Sequence, residues 1–66
     1  MRIYVNGSER TLPESSGLVA LLSAMGLDGK RIAVEINREI IPRARHKEHV
    51  LRDGDRIEIV QAIGGG

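Results

Sequence analysis

The sequence contains no cysteine, no phenylalanine and no tryptophan, and Tyr4 is its only aromatic residue. Without cysteine the chain can form no disulfide, offer no thiolate to a metal and use no thiol as a nucleophile. With Tyr4 as the only aromatic side chain on which a base could stack, it essentially lacks the usual means of binding single-stranded nucleic acid. We therefore expect no nucleic-acid partner, and the missing cysteine agrees with a cytoplasmic location.

The chain also lacks a signal-peptide core, an apolar run long enough to span a bilayer, and a large excess of charge of one sign. Ten basic and nine acidic residues give a net charge of +1, which creates no global field for nucleic acid or a membrane. We expect a soluble protein without a membrane partner. With 66 residues, it should form one domain with a small core and little room for an internal active-site cleft.

The N-terminal residues predict a β-hairpin. Apolar and polar side chains alternate over residues 1–5, and Asn6-Gly7 is a strong signal for a tight turn. Residues 8–12 return as a second strand. Pro13 ends that strand because proline has no N–H to donate to a ladder.

An amphipathic helix follows over residues 17–26. Its apolar face is formed by side chains at i, i+3, i+4 and i+7: Leu18, Leu21, Leu22 and Met25. Ser15 or Ser16 can cap the start of the helix, and Gly26 suits the left-handed position just past its end. At this spacing Met25 is expected to pack in the core and not to bind a cofactor.

Three further strands are predicted in the second half of the chain. Residues 31–37 alternate with Ile32, Val34 and Ile36 on one face, and residues 56–63 alternate with Ile57 and Ile59 inward. Between them, residues 39–41 form a short strand after a tight turn at Asn37-Arg38, and Pro42 closes it. Residues 43–52 show no period and predict a loop with a short helical turn, followed by turn chemistry at Asp53-Gly54-Asp55.

The element order is β-β-α-β-β-β, which predicts an α+β fold in which a small mixed sheet packs on one main helix. The crossover after the first hairpin requires a parallel pair of strands somewhere in the sheet. This is a grasp-like arrangement. We expect one domain over residues 1–63 and a flexible glycine tail over residues 64–66.

Two local clusters could carry chemistry, but neither is convincing. His46 and His49 flank Glu48, yet zinc needs at least three positioned protein ligands, so we expect exposed loop histidines and no metal site. The basic run from Arg43 to Lys47 could dock an acidic partner or a phosphate, although such runs are usually solvated surface. No serine has a histidine and a carboxylate at a spacing that predicts a catalytic triad.

The C-terminal residues carry the clearest functional signal. A strand-like run ending at Ile63 leads directly into Gly64, Gly65 and Gly66, which have no side chains and can pass through a channel too narrow for other residues. The reactive group is then the terminal carboxylate of Gly66. Val60 and Ile63, predicted to be exposed beside this arm, are candidates for partner docking. The simpler alternatives are a frayed terminus and, for Val60, a packing role.

The order of several short motifs resembles the ThiS family of sulfur carriers, which have a ubiquitin-like β-grasp fold. The resemblance spans nearly the whole chain. It is carried by Val5-Asn6-Gly7, Leu21-Leu22 with Gly26-Leu27, Ala33-Val34-Glu35-Ile36-Asn37, Ile41-Pro42-Arg43, Gly54 to Val60, and Gly65-Gly66. The chain departs from the family pattern at Arg38, where glycine is common, and at Gly17, where a capping threonine is expected.

The resemblance implies a role for Gly66 as a co-substrate of other enzymes, and not an enzymatic activity. A ThiF-type adenylyltransferase, using ATP and magnesium, is expected to adenylate the Gly66 carboxylate. A sulfur donor such as a cysteine desulfurase persulfide then yields a thiocarboxylate, and a ThiG-type thiazole synthase takes the sulfur for thiamin biosynthesis. Gly64, Gly65, Ile63 and Val60 are expected to contact these partners. The carrier itself is expected to bind no cofactor.

Other functions remain compatible with the same tail. A carrier for molybdopterin, of the MoaD type, or for tRNA thiolation shares the tail chemistry. A ubiquitin-like modifier would instead join Gly66 to a lysine, and a plain binding module would have an inert tail. The segments Ile41-Pro42-Arg43 and Gly54-Asp55-Arg56 favour the thiazole carrier.

Overall fold

The computed structural model describes residues 1–61, which form a five-stranded sheet with one α-helix packed against it. The strands are β1 (Arg2–Val5), β2 (Ser8–Thr11), β3 (Ile32–Ile36), β4 (Glu39–Ile41) and β5 (Arg56–Gln61). The helix is α1 (Leu18–Ala24), and a 3₁₀ turn follows at Arg43–Arg45. The predicted α+β class and element order are confirmed, including the short helical turn after Pro42.

β5, the last strand within residues 1–61, lies in the middle of the sheet. The strand order is β2-β1-β5-β3-β4, so β5 separates the two hairpins. β1 and β5 are parallel, whereas the β1–β2, β3–β4 and β3–β5 pairs are antiparallel. The parallel pair that the crossover requires is therefore the one between β1 and β5.

The core lies between the helix and one face of the sheet. Most side chains predicted to face inward are buried, and they join those of the helix in one cluster: Ile3, Val5, Leu18, Leu21, Leu22, Val34, Ile36, Leu51 and Ile57. Met25, Ile32 and Ile59 are half-buried and pack against this cluster. Leu51 belongs to the core although it lies in a segment without a readable period, because the loop before β5 folds back over the start of the helix.

The predicted serine cap of the helix is wrong. Gly17 occupies the cap position without a side-chain bond, and the Ser16 hydroxyl donates instead to the Pro13 carbonyl at 2.7 Å. The backbone of the later loop pairs one of the four free N–H groups at this end of the helix, since the Leu18 N–H donates to the His49 carbonyl at 2.9 Å. A serine or threonine cap would instead accept from the N–H groups one or two residues further into the helix.

The predicted end of the helix is confirmed. Gly26 has φ of +72°, and the N–H of Leu27 donates to the carbonyl of Leu22 at 2.9 Å, which are the features of a Schellman motif. The helix thus has only seven residues. Within residues 1–61, no helix has the length and apolar character needed to cross a bilayer.

The two hairpins share one turn conformation. Both central residues have positive φ in each: 49° and 84° at Asn6 and Gly7, and 52° and 70° at Asn37 and Arg38. These values define type I′ turns, whose twist matches that of the flanking strands. Arg38 therefore adopts the left-handed conformation that glycine accepts freely, at a cost of about 1–2 kcal/mol for a residue with a Cβ.

Candidate functional site

The candidate site is the end of the sheet from which β5 leads toward the glycine tail. β5 is paired with β3 along its length, from Ile36 opposite Ile57 to Ile32 opposite Gln61. On its other side it pairs with β1 only at its beginning, through Tyr4 opposite Arg56 and Val5 opposite Ile57. The strand is thus held on both sides where it starts and by β3 alone at Gln61.

Asn6 extends the contact with β5 beyond the end of β1. Its backbone N–H donates to the Ile57 carbonyl at 2.8 Å. Its side-chain Oδ1 then accepts from the Ile59 N–H at 2.8 Å, and its Nδ2 donates to the Ile59 carbonyl at 3.2 Å. The amide group of Asn6 therefore acts as one more peptide unit of the parallel ladder, and it fixes β5 two residues before Gln61.

Asn37 plays a related part at the start of β5. Its Oδ1 accepts from the Arg56 N–H at 3.0 Å, and its Nδ2 donates to Oδ1 of Asp55 at 2.9 Å. The second carboxylate oxygen of Asp55 accepts from the Arg52 N–H at 2.8 Å. Since Asp55 is only 8% exposed, these donors satisfy a carboxylate that water barely reaches.

Val60 is 66% exposed on the face of the sheet opposite the core. The outward orientation that alternation predicted is confirmed, and a buried packing role for this side chain is excluded. Its role in partner docking stays a prediction. The predictions for Ile63, Gly64, Gly65 and Gly66 concern residues outside the described part of the chain.

A shallow groove surrounds Val60 at this end of the sheet. It is lined by residues of three segments: Arg31, Ile32, Ala33, Arg43 and Val60. Ala33 is the cross-strand partner of Val60, and Arg31 directly precedes β3. The groove therefore combines a small apolar floor with two arginines, next to the point at which β5 continues toward the tail.

The prediction of exposed loop histidines is wrong. His46 is 8% exposed, and its Nε2 lies 3.0 Å from the carbonyl oxygen of Ile41, while His49 is half-buried. The 3₁₀ turn points His46 inward and leaves Arg43 and Lys47 in solvent. Among residues 1–61, no three potential ligands come close enough together to hold a metal ion.

The two asparagine contacts to β5 are structural features of the candidate site that the sequence pattern did not predict. The bonds of Asn6 to Ile59 join residues 53 positions apart, so no local periodicity reports them. A signal is nevertheless present, because the first strand of each hairpin ends in an apolar residue that is followed by asparagine: Val5-Asn6 and Ile36-Asn37. This repetition is visible in the sequence, but the strand that both asparagines bind is not.

Comparisons with known proteins support one family. The model of the ThiS family matches residues 3–66. The chain is 44% identical to sulfur carrier protein ThiS of Escherichia coli over 66 residues, covering all of both chains. It is 42% identical to a thiazole synthase of Paramagnetospirillum magneticum, of which it spans only 20%. The crystal structure of a thiamine biosynthesis protein (ThiS) from Geobacter metallireducens matches with a TM-score of 0.84 at 33% identity, again over both whole chains.

Proposed function

Because the chain belongs to the ThiS family, we propose that it is a sulfur carrier in thiamin biosynthesis and that the carboxylate of Gly66 receives the sulfur. The observation that carries this proposal is the position of β5. The central strand is hydrogen-bonded on both sides as far as Ile59, by β3 on one side and by β1 and Asn6 on the other. From there its sequence leads toward the glycines. A firmly held strand that continues into a narrow arm suits a carrier whose reacting group must be inserted into other proteins.

The first step we propose is activation of Gly66. A carboxylate is a poor electrophile, so an adenylating enzyme of the ThiF type, with ATP and magnesium, is needed. A carboxylate oxygen attacks the α-phosphorus of ATP and pyrophosphate leaves, which gives an acyl adenylate. The carrier contributes the carboxylate and the narrow arm, whereas the nucleotide and the metal belong to the partner enzyme.

The second step replaces oxygen by sulfur. The terminal sulfur of a persulfide, such as that of a cysteine desulfurase, displaces AMP and forms an acyl disulfide. A thiol then cleaves the S–S bond, which releases the thiocarboxylate at Gly66 and leaves a disulfide on the donor side. The carrier has no cysteine with which to compete in this exchange.

We further propose a thiazole synthase of the ThiG type as the acceptor. Support comes from relatives that are themselves named thiazole synthase, with the chain matching 20% of their length at 42% and 35% identity. A segment related to this carrier thus occurs within proteins that bear the name of the acceptor enzyme. The cytoplasmic location and the absence of nucleic-acid or membrane partners stay predictions.

Intact-mass spectrometry tests the proposal. The chain is incubated with a ThiF-type enzyme, ATP, magnesium, a cysteine desulfurase, cysteine and a thiol reductant. We expect the mass increase of one oxygen replaced by sulfur, located at Gly66 by fragmentation and absent when Gly66 is deleted. An unchanged mass with an enzyme that is active on its own carrier contradicts the proposal. A conjugate to lysine identifies a ubiquitin-like modifier instead, and transfer to molybdopterin or tRNA identifies another acceptor pathway.

Substitution of Gly65 tests the narrow arm. Gly65→Val is expected to reduce adenylation at least about a hundredfold, because a branched side chain one residue before the reacting carboxylate misplaces it. Pyrophosphate exchange measures the rate, and circular dichroism checks the fold. Ala20→Val, on the exposed side of α1, is the matched control and is expected to retain activity. Normal exchange by Gly65→Val contradicts the idea of a tight channel.

A further inference from the structure

A group of basic side chains gathers at the end of the domain from which β5 continues. Lys30 and Arg31 lie just before β3, and Arg43 and Lys47 lie in and after the 3₁₀ turn. All four are exposed. They line two adjoining grooves, and Arg43 belongs to both. We call these four residues the basic end of the domain.

Within the described residues no acidic side chain forms an ion pair with the basic end, although the exposed Glu58 lies two residues before Val60 on the same face of β5. The ion pair found among residues 1–61 lies on the first hairpin, away from the basic end, where Nε of Arg2 is 3.2 Å from Oε2 of Glu9. Among the residues that line the two grooves, Asp28 is the acidic one, and it lies in the groove of Lys30 and Lys47. Its Oδ1 accepts a hydrogen bond from the Ser23 hydroxyl at 2.6 Å. The chain as a whole is nearly neutral, so the positive charge at this end is a local feature.

The basic end lies at the base of the tail. Gln61 is paired with Ile32, the neighbour of Arg31 in the sequence, and Val60 lies in the same groove as Arg31 and Arg43. Any protein that receives the tail must therefore approach these two arginines. Arg31 directly precedes β3 and Arg43 begins the 3₁₀ turn, so two different segments bring these arginines into one groove with Val60.

Chain length separates the basic end from the chemistry at Gly66. Gly66 follows Gln61 by five residues, which span at most about 17 Å when fully extended. When an arm of that length lies fully extended in a channel, Arg31 and Arg43 stay outside at the mouth, away from nucleotide phosphates beside the reacting carboxylate. The groups that they meet are side chains of the partner protein around that mouth.

We propose that the basic end docks onto an acidic rim of aspartate and glutamate side chains around the tail channel of the enzyme that adenylates Gly66. This inference rests on the proposed function and adds to it the surface and the charge of the partner. Arg31 and Arg43 make the closest contacts because they border Val60, whereas Lys30 and Lys47 contribute mainly to long-range attraction. Charges at an interface rim act chiefly on the rate of association and on its salt dependence.

The test is a double charge reversal, Arg31→Glu with Arg43→Glu, in the complete chain with a ThiF-type enzyme. The matched control is Arg38→Glu with Arg52→Glu, which makes the same change in net charge. Both control residues are exposed and lie at the opposite end of the sheet, Arg38 within the β3–β4 turn and Arg52 in the loop before β5. Thermal melting checks that both variants fold. Pyrophosphate exchange then gives KM for the carrier, KM for ATP and kcat at low and high salt.

At low salt the double reversal is expected to raise KM for the carrier at least about tenfold, with kcat and KM for ATP unchanged. The difference from the parent chain should shrink at high salt, because screening weakens exposed charges. Replacement of both arginines by lysine should restore most of the affinity, and the control variant should stay within about twofold of the parent.

Three results overturn the inference. If the double reversal leaves KM for the carrier unchanged, or if the control variant raises it equally, no acidic rim contacts the basic end, although the carrier function stands. If the effect falls on kcat or on KM for ATP, the arginines act on the nucleotide and not on a rim. If the parent chain itself supports no exchange with an active enzyme, the proposed function fails and this inference fails with it.

Discussion

The β1–β2 turn and the β3–β4 turn have the same backbone conformation, but their asparagines bind β5 at different places. Asn6 makes both of its side-chain bonds to the backbone of Ile59, within the second half of the strand. Asn37 bonds to the backbone of Arg56, where the strand begins, and to the buried carboxylate of Asp55 just before it. The first turn thus holds the strand close to the tail, and the second fixes where the strand starts.

This difference separates a contribution to stability from a contribution to function. The contact of Asn37 satisfies a buried carboxylate, so its loss leaves a charged group short of a donor inside the domain. The contact of Asn6 is exposed and bonds only to the backbone. Its loss should loosen the part of β5 next to the tail while leaving the core intact.

The largest expected effect is that of Asn37→Ala. We expect the free energy of unfolding to fall by about 2–4 kcal/mol, since two hydrogen bonds are lost, one of them to a charged group, and alanine disfavours the left-handed conformation. Urea denaturation measures this loss. Asn37→Gly keeps the backbone relaxed and isolates the side-chain bonds. If Asn37→Gly is as stable as the parent, those bonds contribute nothing.

Asn6→Gly is expected to have a smaller global effect, a loss of about 1–2 kcal/mol, because its two bonds are exposed. The sharper measurement is hydrogen exchange at the Ile59 amide, which loses its acceptor. We expect exchange there to rise well above that of the Ile57 amide, which lies within the β1–β5 ladder. Equal acceleration at both amides means that the variant opens globally, and the two turns then do not differ as described.

The smallest effect is expected for Arg38→Gly, which makes the second turn resemble the first. Relief of the left-handed conformation should outweigh the greater freedom of glycine in the unfolded chain, so stability should rise by about 0.5–1 kcal/mol. Gly7→Ala is the reverse change at the equivalent position and should destabilise. A loss of stability in Arg38→Gly means that the arginine side chain makes a contact worth more than its backbone strain.

The parts of the fold that sequence predicts are those set by neighbouring residues. Alternation identified the inward faces of β1, β3 and β5, and glycine after asparagine identified the first turn. The helix cap and the burial of His46 and Leu51 could not be predicted in this way. The cap and the burial of Leu51 depend on the loop before β5 lying against the start of the helix, as in the bond from Leu18 to His49, which are 31 positions apart in sequence. The burial of His46 depends on the 3₁₀ turn, which brings its Nε2 to 3.0 Å from the Ile41 carbonyl oxygen.

The candidate site shows the same division. The outward position of Val60 follows from alternation alone, and the glycine arm is visible in composition. The hydrogen bonds of Asn6 to Ile59 and the position of Arg31 and Arg43 in one groove depend on which strands pair. A local sequence pattern does not reveal the order of strands in the sheet. The resemblance to the ThiS family added the chemistry at Gly66, which no periodicity contains.

The central position of the last strand also governs how the domain can be made. During synthesis both hairpins and the helix leave the ribosome before β5, yet in the sheet the two hairpins are joined only through that strand. Until β5 emerges, Ile3 and Val34 have no completed core in which to be buried, and the long-range pairing that follows is intrinsically slow. A finished sheet is therefore a sign that translation has passed Gln61. An enzyme that binds the folded domain meets only chains in which the strand leading to the tail already exists.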